Sequence, residues 1–165
     1  MTYNIHPIIV HFPVALLTIY SLIVISRVER WFPRLNWRDA KRVLLLVGTV
    51  AAYVASTTGD MAQELVGRNP IVEKHELFAS MSIWMFTILS VRELLPLVIG
   101  FLKRKNISIA FVDELNRFIQ KNWIEILLAV AGFVALTITG ALGGAMIYGT
   151  SADPMTAPLL KLLGL

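Results

Sequence analysis

The chain has 165 residues, 56% of them apolar and 16% charged, with a formal net charge of +4, a sequence pI near 9.6 and a mean hydropathy of +0.69. Soluble domains carry roughly 25% charged residues, so this composition excludes intrinsic disorder and a soluble enzyme. Cysteine is absent, which excludes a disulfide, an iron-sulfur cluster and a thioether-linked c-type haem, because each requires thiol sulfur.

A hydrocarbon core about 30 Å thick takes about 20 helical residues at 1.5 Å each. Four windows meet that length, at about residues 7–26, 43–60, 70–95 and 123–148. No basic segment precedes the first, and no A-x-A pattern follows Ser26, so it reads as a retained span and not as a cleaved export signal. Pro13 lies inside it and removes the bond from its own nitrogen to the Ile9 carbonyl, which predicts a kink beside His11. The second window places Gly48, Ala52 and Ser56 on one stripe, where small side chains let neighbouring helices approach. The third begins at Pro70 with Asn69 as its N-cap. Its apolar centre covers residues 77–91, and Arg92 and Glu93 fall at the membrane boundary.

Between the third and fourth windows, Ile107, Ala110, Phe111, Leu115, Phe118 and Ile119 recur at helical spacing opposite Asp113, Glu114, Arg117 and Lys121. This pattern predicts an amphipathic helix lying on the membrane surface. The fourth window carries one acid at its mouth, Glu125, and a glycine-rich run in which Gly140, Gly143 and Gly144 could admit a neighbouring helix or a flat cofactor. The tail holds Pro154 and Pro158 and is too short to span. The expected fold is all-α: one domain, residues 1–165, built as a four-helix transmembrane bundle with an interfacial helix before the fourth span.

Lysine and arginine set the orientation, because short loops rich in them stay cytoplasmic. Residues 27–42 hold six, residues 92–121 hold six, and the opposite side holds three: Arg68, Lys74 and Lys161. Both termini are therefore expected outside, in the cytoplasmic membrane of a bacterium. The basic residues flank membrane ends and interleave with Trp31, Trp37 and Trp123. They do not form the contiguous face that nucleic acid needs, so no nucleic-acid partner is expected.

All three histidines, His6, His11 and His75, lie at the outer ends of their helices. Ionisable side chains within a span are rare and mark function. His11 is four residues beyond Pro7 and His75 five beyond Pro70, which sets them about 6 and 7.5 Å inside two helices running in the same direction. Imidazoles at matching depth could clasp a b-type haem between them. His6 is five positions, about 140°, away from His11 and is the less favoured ligand. A non-haem metal is an open alternative, with His6, His11 and His75 joined by Asp60, Glu64, Glu73 or Glu76. Those acids could instead orient an imidazole through its other nitrogen, Asp60 first and Glu76 next, or be solvated loop charges. Signatures of hydrolases, P-loop NTPases and dinucleotide-binding folds are absent.

The run HPIIVHFPVALL (residues 6–17), the TGD ending of the second window (58–60), KHELFA (74–79) and GALGGAMIYGT (140–150) resemble a bacterial membrane family catalogued as domain of unknown function 2231. The resemblance covers nearly the whole transmembrane part and reaches His6, His11 and His75 by motif position. It implies a four-helix membrane module, sometimes fused to redox domains and similar in layout to membrane b-type cytochromes. Dihaem cytochromes of that kind carry ligand pairs at both leaflets, whereas this chain has none at the inner one. The leading expectation is an electron-transfer subunit holding haem b between His11 and His75. Its expected partners are the lipid bilayer, other subunits of a redox complex, and quinone or an extracytoplasmic electron carrier. A cofactor-free assembly subunit and a metal-binding or transport module are the alternatives.

Overall fold

A computed structural model describes residues 5–105, 110–149 and 154–165, with the side chains of 64–66 left aside. The described residues are helical almost throughout, and no strand occurs among them. The elements are α1 (His6–Ile9), α2 (His11–Ser26), α3 (Trp37–Val66), α4 (Pro70–Arg104), α5 (Ala110–Ile119), α6 (Asn122–Tyr148) and α7 (Thr156–Leu162). Four spans result: His6–Ser26, which joins α1 and α2, then one each within α3, α4 and α6.

Local chemistry accounts for the helix boundaries. Helical hydrogen bonding is interrupted at Val10, between α1 and α2, where Pro13 has no N–H to offer the Ile9 carbonyl. Asn36 caps α3 by accepting from the Asp39 amide, and Asn69 caps α4 by accepting from the Val72 amide at 3.0 Å. The second helix thus begins at Trp37, six residues before the apolar window, because the cap and not the hydropathy fixes the start. The third continues through Pro96 to Arg104, beyond the expected end near residue 95. At about 1.5 Å per residue it outruns the hydrocarbon thickness, so its last turns leave the apolar layer. The amphipathic segment is helical from Ala110 onward, with Phe111, Leu115 and Phe118 exposed along one face. Ile107 lies outside the described residues, as does Thr150 at the end of the glycine-rich run.

The four spans pack as a ring in chain order, first against second, second against third, third against fourth and fourth against first. Packing is more extensive within the hairpins one–two and three–four than between them. The first and third helices are therefore diagonal partners, and they meet only across the centre. There Tyr20 and Phe86 stack edge to face at a centroid distance of 6.3 Å, within a core of Leu17, Val24, Leu45, Leu89, Ala129 and Leu136. The small-residue stripe serves close packing: a Cβ added at Gly48 would lie 2.7 Å from Leu17 Cδ2, and one at Gly132 would lie 3.0 Å from Phe86 Cζ. Ser56, at the end of that stripe, is exposed. Outward, the spans present Ile19, Leu22, Val47, Trp84 and Leu127, which is the apolar surface a bilayer solvates. A smaller cluster of Leu142, Ala145 and Leu160 packs with Ile71, Phe78 and Leu163, so that α7 docks across the ends of the third and fourth helices.

Candidate functional site

The end of the bundle where α1 and α4 begin carries the histidines. His75 sits in the second turn of α4, half-buried, and its Nδ1–H donates to the Thr139 carbonyl of α6 at 2.9 Å. Its Cε1 would lie 3.4 Å from a Cβ placed on Gly143, so the glycine leaves room for the ring one helical turn beyond its hydrogen-bond partner. His6 opens α1, also half-buried, with Nδ1 3.1 Å from Thr58 Oγ1 on α3. Thr58 donates its own hydrogen to the Ala55 carbonyl at 2.9 Å, so its oxygen accepts from the imidazole. A Cβ on Gly59 would come within 3.1 Å of His6 Cε1. Each ring thus has a threonine partner for Nδ1 and a glycine beside Cε1, both on the other helix of its own hairpin.

A carbonyl can only accept, so His75 carries hydrogen on Nδ1, while His6 meets a hydroxyl and also bonds the Ala55 backbone. With hydrogen on Nδ1, the lone pair of such a ring resides on Nε2, the arrangement found in metal-ligating histidine, where the second nitrogen donates to a carbonyl or hydroxyl. His6 and His75 come from diagonal helices and lie within electrostatic reach of one another. Asp60, exposed at its own position, also lies within electrostatic reach of His6.

Of the two histidines expected to pair, His75 is half-buried against α6 and His11 is exposed. His11 stands on the first helix beside the equally exposed Phe12, whereas His6 is half-buried and within electrostatic reach of His75. The reason is angular. Equal depth along two helices says nothing about azimuth, and the five-residue step from His6 to His11 turns the side chain to the opposite flank. Among the glycines, Gly143 meets His75, Gly140 has no atom within 4 Å of its Cβ position, and Gly144 is half-buried. Glu76 is half-buried and Glu73 exposed, while the side chain of Glu64 lies outside the described residues. Among the described residues no group of three or more His, Cys, Asp or Glu side chains is arranged to hold a metal ion.

Thr58 and Gly59 stand in the TGD ending noted in the sequence, without a role as ring partners, and Thr139 was not singled out. The available signal was the Thr-Gly pair near the same end of both even-numbered spans, Thr58-Gly59 and Thr139-Gly140, each on the helix that follows a histidine-bearing one.

At the opposite, basic end the boundary charges Arg92, Glu93 and Glu125 join in a network. Arg92 is nearly buried, its side chain 7% exposed, and pairs with Glu125 at 3.1 Å and Glu93 at 3.3 Å. Its Nε donates to the Ile119 carbonyl and its Nη2 to that of Gln120, closing the C-terminal end of α5 onto the bundle. Lys41 reaches the other oxygen of Glu125 at 3.4 Å, and Arg42 reaches Glu93 at 3.5 Å. Helices two, three and four are thereby tied together at this end.

Four apolar spans, a lipid-facing belt and paired polar clusters at the two ends define an integral membrane protein of the four-helix class. Residues 2–152 match the family model described as "Predicted membrane protein (DUF2231)", which covers most of the chain, and the protein belongs to that family. No curated protein and no solved structure matches it.

Proposed function

We propose that this protein is an electron-transfer subunit of a bacterial membrane redox complex, with a b-type haem held between His6 and His75. The observation that carries this reading is the pair of diagonal imidazoles, each locked by its Nδ1–H onto the adjacent helix. Porphyrin brings four nitrogens of its own, so two protein donors complete the iron coordination. A non-haem ion would draw three or more ligands from the chain. The donor set fits the group: neutral nitrogen ligands with hydrogen-bonded second nitrogens, in an apolar bundle, with the rings packed against Gly59 and Gly143.

Bound there, the haem supplies reversible one-electron chemistry. The chain's own residues bind and orient it. Thr58 and the Thr139 carbonyl fix the ring planes, the four helices exclude water, and the docked α7 covers the ends of the third and fourth helices. The lysine and arginine counts support an extracytoplasmic position for this end, where an extracytoplasmic carrier and membrane quinone are the natural exchange partners. One site at one leaflet calls for neighbouring subunits to complete a path.

Absorbance of the purified, dithionite-reduced protein tests the reading. A split visible haem band is expected, lost in His6→Ala and in His75→Ala but retained in His11→Ala. A colourless protein after expression with added haem precursor overturns it, and loss of the band in His11→Ala alone overturns the ligand assignment.

A further inference from the structure

At the histidine end three helices meet in one small apolar cluster, with Ile71 and Phe78 from α4, Leu142 and Ala145 from α6, and Leu160 and Leu163 from α7. Residues at i, i+4 and i+7 fall within about 60° of arc around a helix. His75 follows Ile71 by four residues and precedes Phe78 by three, so it stands in the α4 stripe over which α7 lies. The fourth span holds the same imidazole through the Thr139 carbonyl at 2.9 Å. His75 thus sits where all three helices converge.

Few side chains hold α7. It is seven residues long, short of the about 12–15 at which an isolated helix persists in water. Its helical form therefore depends on docking, yet only Thr156 and Leu160 are buried, and Leu162 is 82% exposed. Segments with few buried apolar contacts are the ones that open first. The helices beneath it, by contrast, run 35 and 27 residues through the bundle. We propose that α7 is a cap that opens and closes over His75, shielding the imidazole from water when docked and admitting the ligand of this site when it lifts. The cap acts on His75 whatever the imidazole binds, so its test stands apart from that of the haem.

Carbethoxylation by diethyl pyrocarbonate, read by peptide mass spectrometry on the full chain in detergent without added haem or metal, tests it. Leu160→Asp should speed modification of His75 about threefold or more, and Leu160→Ala by a smaller factor, with the His6 and His11 rates unchanged. Leu162→Asp places the same charge on the exposed face of α7 and should leave His75 at its wild-type rate. In the unsubstituted protein, the amides of residues 156–162 should exchange with deuterium about tenfold or more faster than those of residues 138–148. A His75 rate that stays constant in Leu160→Asp, or that rises equally in Leu162→Asp, overturns the cap. Amides of α7 as protected as those of α6 would make it a fixed wall and overturn it too.

Discussion

The Nδ1–H of His75 donates to the Thr139 carbonyl across 2.9 Å, tying the second turn of the third span to the glycine-rich end of the fourth. Gly143 lies one turn further along the same face, and a Cβ there would stand 3.4 Å from the imidazole, in ordinary contact. Ring orientation is therefore fixed by the backbone carbonyl that accepts from it.

Substitution at the two glycines should grade with the clearance. A Cβ at Gly143 would sit 3.4 Å from His75, ordinary contact, whereas one at Gly59 would sit 3.1 Å from His6, which forces a shift. Gly143→Ala should keep the haem band, Gly59→Ala should reduce it, and Gly143→Leu should abolish it. Band intensity per mole of protein gives the comparison, and equal effects of the two alanines would count against the ring placement.

Gly48→Ala should destabilise the bundle by about 1–3 kcal/mol, the usual cost of overpacking. Its Cβ would meet Leu17 Cδ2 at 2.7 Å and Leu16 Cβ at 3.2 Å, and the latter is held by backbone. Thermal unfolding in detergent should show a lowered midpoint, and the loss in the double variant Gly48→Ala/Leu17→Ala should be smaller than the sum of the two single losses.

Removing Glu125 should be more damaging than removing any exposed charge. Glu125→Gln leaves Arg92 and Lys41 without their shared carboxylate, and breaking a buried pair costs about 3–5 kcal/mol. The double variant Arg92→Met/Glu125→Gln should lose less than the sum of the single losses, which a double-mutant cycle on unfolding midpoints would read directly.

Reporter fusions should place both ends of the chain outside. Alkaline phosphatase joined after Leu165 should be active, and the same enzyme joined after Lys105, in the loop rich in lysine and arginine, should be silent. Activity at the internal site would invert the assignment and move the histidines to the cytoplasmic leaflet.

The four spans were plain in the sequence because hydrocarbon demands about 20 apolar residues in a row, and nothing else in a chain this short imitates that run. Asn69 and Pro70 were legible as a helix start for equally local reasons. His6 against His11 was not. Which of two histidines on one helix faces inward depends on where the neighbouring helices stand, and lipid-facing and core-facing positions are both apolar here, so no periodicity marks the inner face. Arg92, Glu93 and Glu125 were visible as charges but not as partners, since their meeting is set by the ring order of the helices. Thr139 could not have been singled out as a ring anchor from its side chain, because it is its carbonyl that accepts.

Each hairpin brings one anchored imidazole together with the threonine and glycine beside it, and the second imidazole of the first hairpin, His11, is exposed. Half a molecule inserted during synthesis thus presents a single anchored donor. If haem is held as proposed, it would be retained only after the later hairpin has closed against the earlier one, and its capture would then report that assembly has finished.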